Sequence, residues 1–152
     1  MSVYPVTQEP VILTGNYPHM ARRDAPLWES YIKTHGAIFT GVAYDVALGG
    51  VVPEGVDEED ETVIGWRYST AVKLDAVLFT PEEVWIVEVK PNASLSAIGQ
   101  VLGYMLLAER EPFTDLPLIP TIITDHLNRD VQYVAEQLNV QIIVVDTEGE
   151  ET

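Results

Sequence analysis

Two runs and the turn between them decide how the chain reads: Lys73-Leu74-Asp75-Ala76-Val77-Leu78-Phe79, then Thr80-Pro81-Glu82-Glu83, then Val84-Trp85-Ile86-Val87-Glu88-Val89-Lys90. Both runs are apolar and rich in β-branched residues, and Val84 to Val89 is almost wholly apolar, as a strand covered on both faces should be. Each run nonetheless carries ionisable groups, and burying a charge is costly unless it is paired or binds a metal. Strand alternation puts Glu88 and Lys90 on one face and Val87 and Val89 on the other. A hairpin turning at 80–83 brings Asp75 beside Glu88, so that two carboxylates and an ammonium converge.

Outward from this hairpin the chain reads as helices around a mixed sheet. Upstream, Asp24 is the expected N-cap of a helix with Pro26 in its first turn, an apolar stripe of Leu27, Trp28, Tyr31 and Ile32, and Gly36 at its end. Ala37 to Leu48 reads as a strand closed by Gly49-Gly50, and an acidic loop over 53–61 follows. Thr62 to Thr70 then reads as a strand that runs on into Ala71 to Phe79. Downstream, Leu95 to Arg110 has apolar residues at 95, 98, 101, 102, 105 and 106, which is helical spacing, and Pro112 lies beyond it. Ile119 to Thr124 is a strand, Asn128 caps a helix, and Val140 to Val145 is a final strand, giving a right-handed parallel crossover. The expected fold is α/β, a central mixed sheet flanked by helices in the order αβββαβαβ. Residues 1–23, with prolines at 5, 10 and 18, should be extended or looped, and the acidic tail 147–152 frayed.

A chain of 152 residues with 47% hydrophobic residues fits one domain. Its 24 acidic and 8 basic side chains give a net charge of −16, which opposes diffuse binding to nucleic acid. Nine of the acids lie at Glu54, Asp57 to Glu61 and Glu148, Glu150 and Glu151, and without them fifteen acids face eight bases, a net of −7. The second half has only Arg110 and Arg129, so a polyanion is expected on the first half. The absence of cysteine excludes disulfides, thiolate nucleophiles and Cys-based zinc sites. There is no basic leader followed by an apolar run and no stretch of 18 apolar residues, so no membrane contact is expected and the chain reads as soluble and cytoplasmic.

Two carboxylates suit a hard divalent cation such as magnesium, which takes carboxylate, water and phosphate oxygens. A neighbouring lysine orients water and stabilises charge developing on a phosphate. The trio therefore points to phosphodiester hydrolysis, and it is equally compatible with an ion-pair network that satisfies only itself.

The pattern of Asp75, then Glu88-Val89-Lys90, then a helix resembles the PD-(D/E)XK nuclease superfamily, with Leu74 where the family's name has proline. The preceding helix and the strand order resemble that family's αβββαβ core, over roughly residues 24 to 125. Gln100-Val101-Leu102-Gly103-Tyr104 resembles the Gln-x-x-x-Tyr signature of the RecB-like and lambda-exonuclease-like branch. The resemblance implies a restriction-endonuclease-like fold and a Mg2+- or Mn2+-dependent deoxyribonuclease of repair, recombination or phage DNA processing. It further implies a bacterial or phage-infected host cell, DNA as partner, and a homo-oligomer or a larger DNA-processing complex. Asp75 and Glu88, with the Val89 carbonyl, would hold the metal, Lys90 would position water, and Gln100 and Tyr104 would support the lysine and the phosphate.

Secondary candidates follow. Glu29 matches the first-helix glutamate that some relatives add as a metal ligand, and it also sits i,i+4 from Lys33. Arg67 and Lys73 are the cations nearest the trio in sequence and are candidates for the nucleic acid. His19, His35 and His126 read as solvated. The plain alternative for the 99–104 stretch is that Gly99 and Gly103, also i,i+4, permit a close helix-sheet contact while Gln100 is solvated and Tyr104 is core; Trp28, Trp66 and Trp85 read as core, with Trp66 beside Arg67 as a stacking candidate. The alternative function is a catalytically inactive nuclease-fold module, an acidic regulator that mimics DNA or binds a partner, which the charge of −16 favours. Keeping a lysine beside two buried carboxylates counts against it.

Overall fold

The computed structural model describes residues 4–13 and 24–146. Its elements are α1 (Ala25–His35) with a short 3-10 turn after it, β1 (Gly41–Leu48), α2 (Glu61–Thr70), β2 (Val72–Phe79), β3 (Val84–Val89), α3 (Leu95–Arg110), β4 (Leu118–Thr124), α4 (Arg129–Gln137) and β5 (Gln141–Val144). The strands form one sheet in the order β1-β2-β3-β4-β5, antiparallel across the first three and parallel from β3 to β5. The fold is thus α/β, a five-stranded mixed sheet flanked by helices. Among the described residues no helix is long and apolar enough to cross a membrane. The stretches 14–23 and 147–152, with His19, lie outside the described residues.

Helices cover both faces of the sheet. On one face Leu27, Trp28, Tyr31 and Ile32 of α1 pack on Val42, Ala76, Leu78, Val87, Val89 and Ile123. On the other, Ala97, Ile98, Val101 and Ala108 of α3 and Val131 and Ala135 of α4 pack on Ala43, Val77, Val84, Ile86 and Ile122. The two-residue alternation of β3 and the 3.6-residue stripes of the helices meet in these layers.

One expected strand is a helix. Thr62 to Thr70 has the β-branched and aromatic residues of a strand, yet it forms α2. Two causes outweigh propensity. Asp60 caps it, its carboxylate accepting from the Thr62 amide at 2.8 Å, and Glu61 sits at the positive end of the helix dipole. In addition, β1 and β2 pair directly with each other as far as Leu48↔Val72, so residues 49–71 form the connection between two strands that are already partners. The element order therefore has a helix between the first two strands, against the expected αβββαβαβ.

The alternation breaks at one place. Tyr44 and Ala76 pack toward α1, whereas Val46 and Leu74, two residues on in each strand, belong to the α3-side core. The intervening residues Asp45 and Asp75 lie between the partners Tyr44↔Ala76 and Val46↔Leu74, and Asp45 has the left-handed φ of 48°. Asparagine and aspartate tolerate that conformation better than other side-chain-bearing residues. Both strands turn over at these two aspartates.

Candidate functional site

β2 and β3 pair from Phe79↔Val84 to Ala76↔Val87 and no further. Continuing that register puts Asp75 opposite Glu88, as the hairpin reading expects. In place of a ladder bond, the Asp75 carboxylate accepts the Val89 amide at 2.9 Å. A strand residue's N–H and C=O point to the same side, so the Val89 carbonyl is directed to the same gap between the strands. Glu88 continues the row of Val84 and Ile86 that faces α3.

The site is buried and short of positive charge. Glu88 is 7% exposed, and among the described residues none donates a hydrogen bond to its carboxylate. Burial first, then the charge of Asp75, pushes Glu88 up to about 8, with Lys90 and Asp24 as smaller opposing and reinforcing influences. Asp75 is pushed up to about 6, chiefly by burial and partly by Asp24 and Asp45, against the Val89 amide and Lys90, which favour its charged form. Lys90 is half-buried, and its charge acts on both carboxylates without a closed ion pair to either among the described residues.

α3 supplies the remaining wall. Tyr104 packs against the core beneath it, and burial, with the charges of Glu88 and Asp75, pushes its phenol up to about 12. That places Tyr104 within the field of both carboxylates. Gln100, one turn earlier on the same flank, is exposed. Gly99 and Gly103 do not make the expected helix-sheet contact: a Cβ on either would meet nothing within 4 Å.

Two acids join the site that sequence reading had not placed there. Asp24 begins α1 but makes no side-chain capping bond, and its charge reaches both Asp75 and Glu88. Asp45 is opposite Asp75 on β1, and a lone aspartate inside an otherwise apolar strand is the signal that pointed to it. Glu29, the expected first-helix acid, is exposed; the α1 acid whose field reaches the pair is Asp24.

The other candidates are employed elsewhere. Arg67 closes an ion pair with Glu111 at 2.6 Å and donates to the Gly49 carbonyl at 3.2 Å. Lys73 donates to the carbonyls of Tyr68 and Ala71 and lies 4.3 Å over the Tyr68 ring. His35 stacks on Tyr31 and His126 meets Asp125 at 3.1 Å. Of the tryptophans, Trp28 is core and Trp85 half-buried, but Trp66 is 53% exposed, against the core position expected.

The donor set fits a hard divalent cation. Two carboxylates, both raised because their charge is uncompensated, and a backbone carbonyl in the same gap are oxygen ligands of the kind magnesium takes, with water completing its shell. Among the described residues no group of three or more His, Cys, Asp or Glu is placed to hold a metal ion, so the side-chain donors here are the two carboxylates alone. No family model, no curated protein and no solved structure matches the chain.

Proposed function

We propose that this chain is a Mg2+- or Mn2+-dependent deoxyribonuclease with a restriction-endonuclease-like core of the PD-(D/E)XK kind. The observation that carries the reading is the meeting of Asp75 and Glu88 where β2 parts from β3, with Lys90 two residues along the same strand. A self-satisfying ion-pair network would quench these charges, whereas here Glu88 has no hydrogen-bond donor among the described residues.

In this reading Asp75, Glu88 and the Val89 carbonyl would hold the cation, which would supply charge neutralisation at the scissile phosphate. Lys90 holds the attacking water by hydrogen bonding and stabilises negative charge as it builds on the phosphate. Tyr104 stays protonated throughout the physiological range and donates its O–H to phosphate or keeps the Lys90 ammonium in place. Gln100 offers an uncharged amide to the DNA backbone. Asp24 and Asp45 add negative field and so strengthen the site's demand for a cation. A homo-oligomer or a larger DNA-processing complex would add basic surface beside the site, since Arg67 and Lys73 are engaged internally.

The test is cleavage of end-labelled linear and circular DNA, single- and double-stranded, with magnesium, manganese or chelator. Cleavage should require metal and fall by at least about a hundredfold in Lys90→Ala. Magnesium should also raise the melting temperature of the wild type and not of Asp75→Ala. Cleavage that survives chelator or Lys90→Ala, or a magnesium response unchanged in Asp75→Ala, overturns the reading.

A further inference from the structure

α3 differs from α1 and α4 in what it turns to solvent. The exposed residues of α1 include Glu29 and Lys33, and those of α4 Asp130, Gln132, Glu136 and Gln137, the polar outer face usual for a helix laid on a core. α3 buries Ala97, Ile98, Val101 and Ala108. At about 100° per residue, the side opposite these carries Leu95, Gly99, Leu102, Gly103 and Leu106, all within an arc of about 100°. Leu95 and Leu106, 55% and 62% exposed, lie on one line roughly 16 Å apart along the helix. Between them a Cβ on Gly99 or Gly103 would meet nothing within 4 Å, and Leu102 is half-buried. An uncharged strip of this length on one helix face marks a contact surface.

The strip is complementary to itself. A two-fold axis at the level between Gln100 and Val101 runs a second α3 antiparallel to the first. It sets Leu95 against Leu106 of the second copy, and Leu102 over Gly99 of the second copy, where the missing side chain leaves room for it. Each contact is then made twice, as in a closed isologous dimer. The charges permit this pairing and no other orientation as well. The strip carries none, and Glu109 and Arg110 at its end come opposite Pro91 and Asn92, which are uncharged. The Arg67–Glu111 ion pair fastens α2 beside the C-terminal end of α3, so the two-fold sends the two acidic runs 54–61 to opposite ends, whereas a parallel pairing would bring them together. A strongly charged partner finds no counter-charge along the strip. We propose that the outward face of α3 is a self-association surface, through which two copies of this chain pack their α3 helices antiparallel, Leu95 against Leu106 and Leu102 against Gly99. The surface is independent of the nuclease reading, since Gln100 and Tyr104 lie off the strip, round the helix toward the sheet.

One helix face is small beside the roughly 1,200 Å² of a standard interface, so the dimer is a weak one, to be read by sedimentation equilibrium of the full chain from about 1 µM to about 1 mM. Association should appear within that range and strengthen with added salt, which screens the net charge of −16. Leu106→Glu and Gly99→Leu should each weaken it roughly tenfold or more and leave far-UV dichroism unchanged, since both positions are open within the chain. The chain has no cysteine, so the register can be read by cross-linking. An equimolar mixture of Leu95→Cys and Leu106→Cys should form an interchain disulfide rapidly under mild oxidation, whereas Leu106→Cys alone, its two sulfurs roughly 16 Å apart along the axis, should not. A folded chain that stays monomeric at about 1 mM overturns the proposal. So does association unchanged in Leu106→Glu, or a disulfide that forms in Leu106→Cys alone as fast as in the mixture.

Discussion

Replacing Glu88 by glutamine removes a buried charge while keeping the side chain's shape. Moving this carboxyl from its ordinary 4.5 to about 8 costs the folded chain about 5 kcal/mol once pH exceeds both values, at about 1.4 kcal/mol per pH decade. Because the folded value is the higher one, the folded state binds the proton more tightly. The stability tied to Glu88 is therefore full below pH 4.5 and is lost progressively as pH rises through about 8. At pH 5 the loss is under about 1 kcal/mol, and at pH 9 it is complete. Glutamine introduces its own cost of about 1–3 kcal/mol, since its amide hydrogens need acceptors in the same site. That cost is the same at every pH and cancels in the comparison. Urea unfolding in chelator at pH 5, 7 and 9 should therefore show the stability of Glu88→Gln relative to wild type improving by about 4 kcal/mol from pH 5 to pH 9. A gap that does not change with pH would refute the placement of Glu88 in a buried, uncompensated site.

Three further outcomes test the architecture. Arg67→Ala should cost about 2–4 kcal/mol in urea unfolding, because Glu111, 8% exposed, would keep only the Gly49 amide as partner; proteolysis within α2 should rise with it. Gly99→Ala and Gly103→Ala should each raise the thermal midpoint, by about 0.5–1 kcal/mol in stability, since α3 is open at both positions. Gly50→Ala should lose about 1–3 kcal/mol: its φ is +99° and a Cβ would lie 2.1 Å from the Arg67 carbonyl oxygen.

The hairpin from Lys73 to Lys90 was legible in the sequence because it is local. Apolar runs separated by a short turn leave one register, and that register alone sets Asp75 opposite Glu88. Helices α1, α3 and α4 were legible for the same kind of reason, as each has an apolar stripe at helical spacing that meets a sheet face. By contrast α2 was misread as a strand, since its side chains favour extended backbone and nothing in its pattern shows that the flanking strands have already paired with each other. Trp66 was misread as core, and of the alternative for 99–104 the close glycine contact fails while the solvated Gln100 and core-packed Tyr104 hold, because exposure is a property of the surroundings, which a pattern of residue types does not contain.

What the sequence determined by itself is therefore everything that follows from spacing along one strand, helix or turn: the mixed sheet with its flanking helices, and the convergence of Asp75, Glu88 and Lys90. The tertiary structure alone decided what depends on distant segments meeting. It brought the charges of Asp24 and Asp45 to bear on the carboxylate pair, engaged Arg67 with Glu111 across 44 residues, and left α2 outside the core. The physical reason is that electrostatic fields and burial act through space and depend on which segments pack together, whereas periodicity acts along the chain.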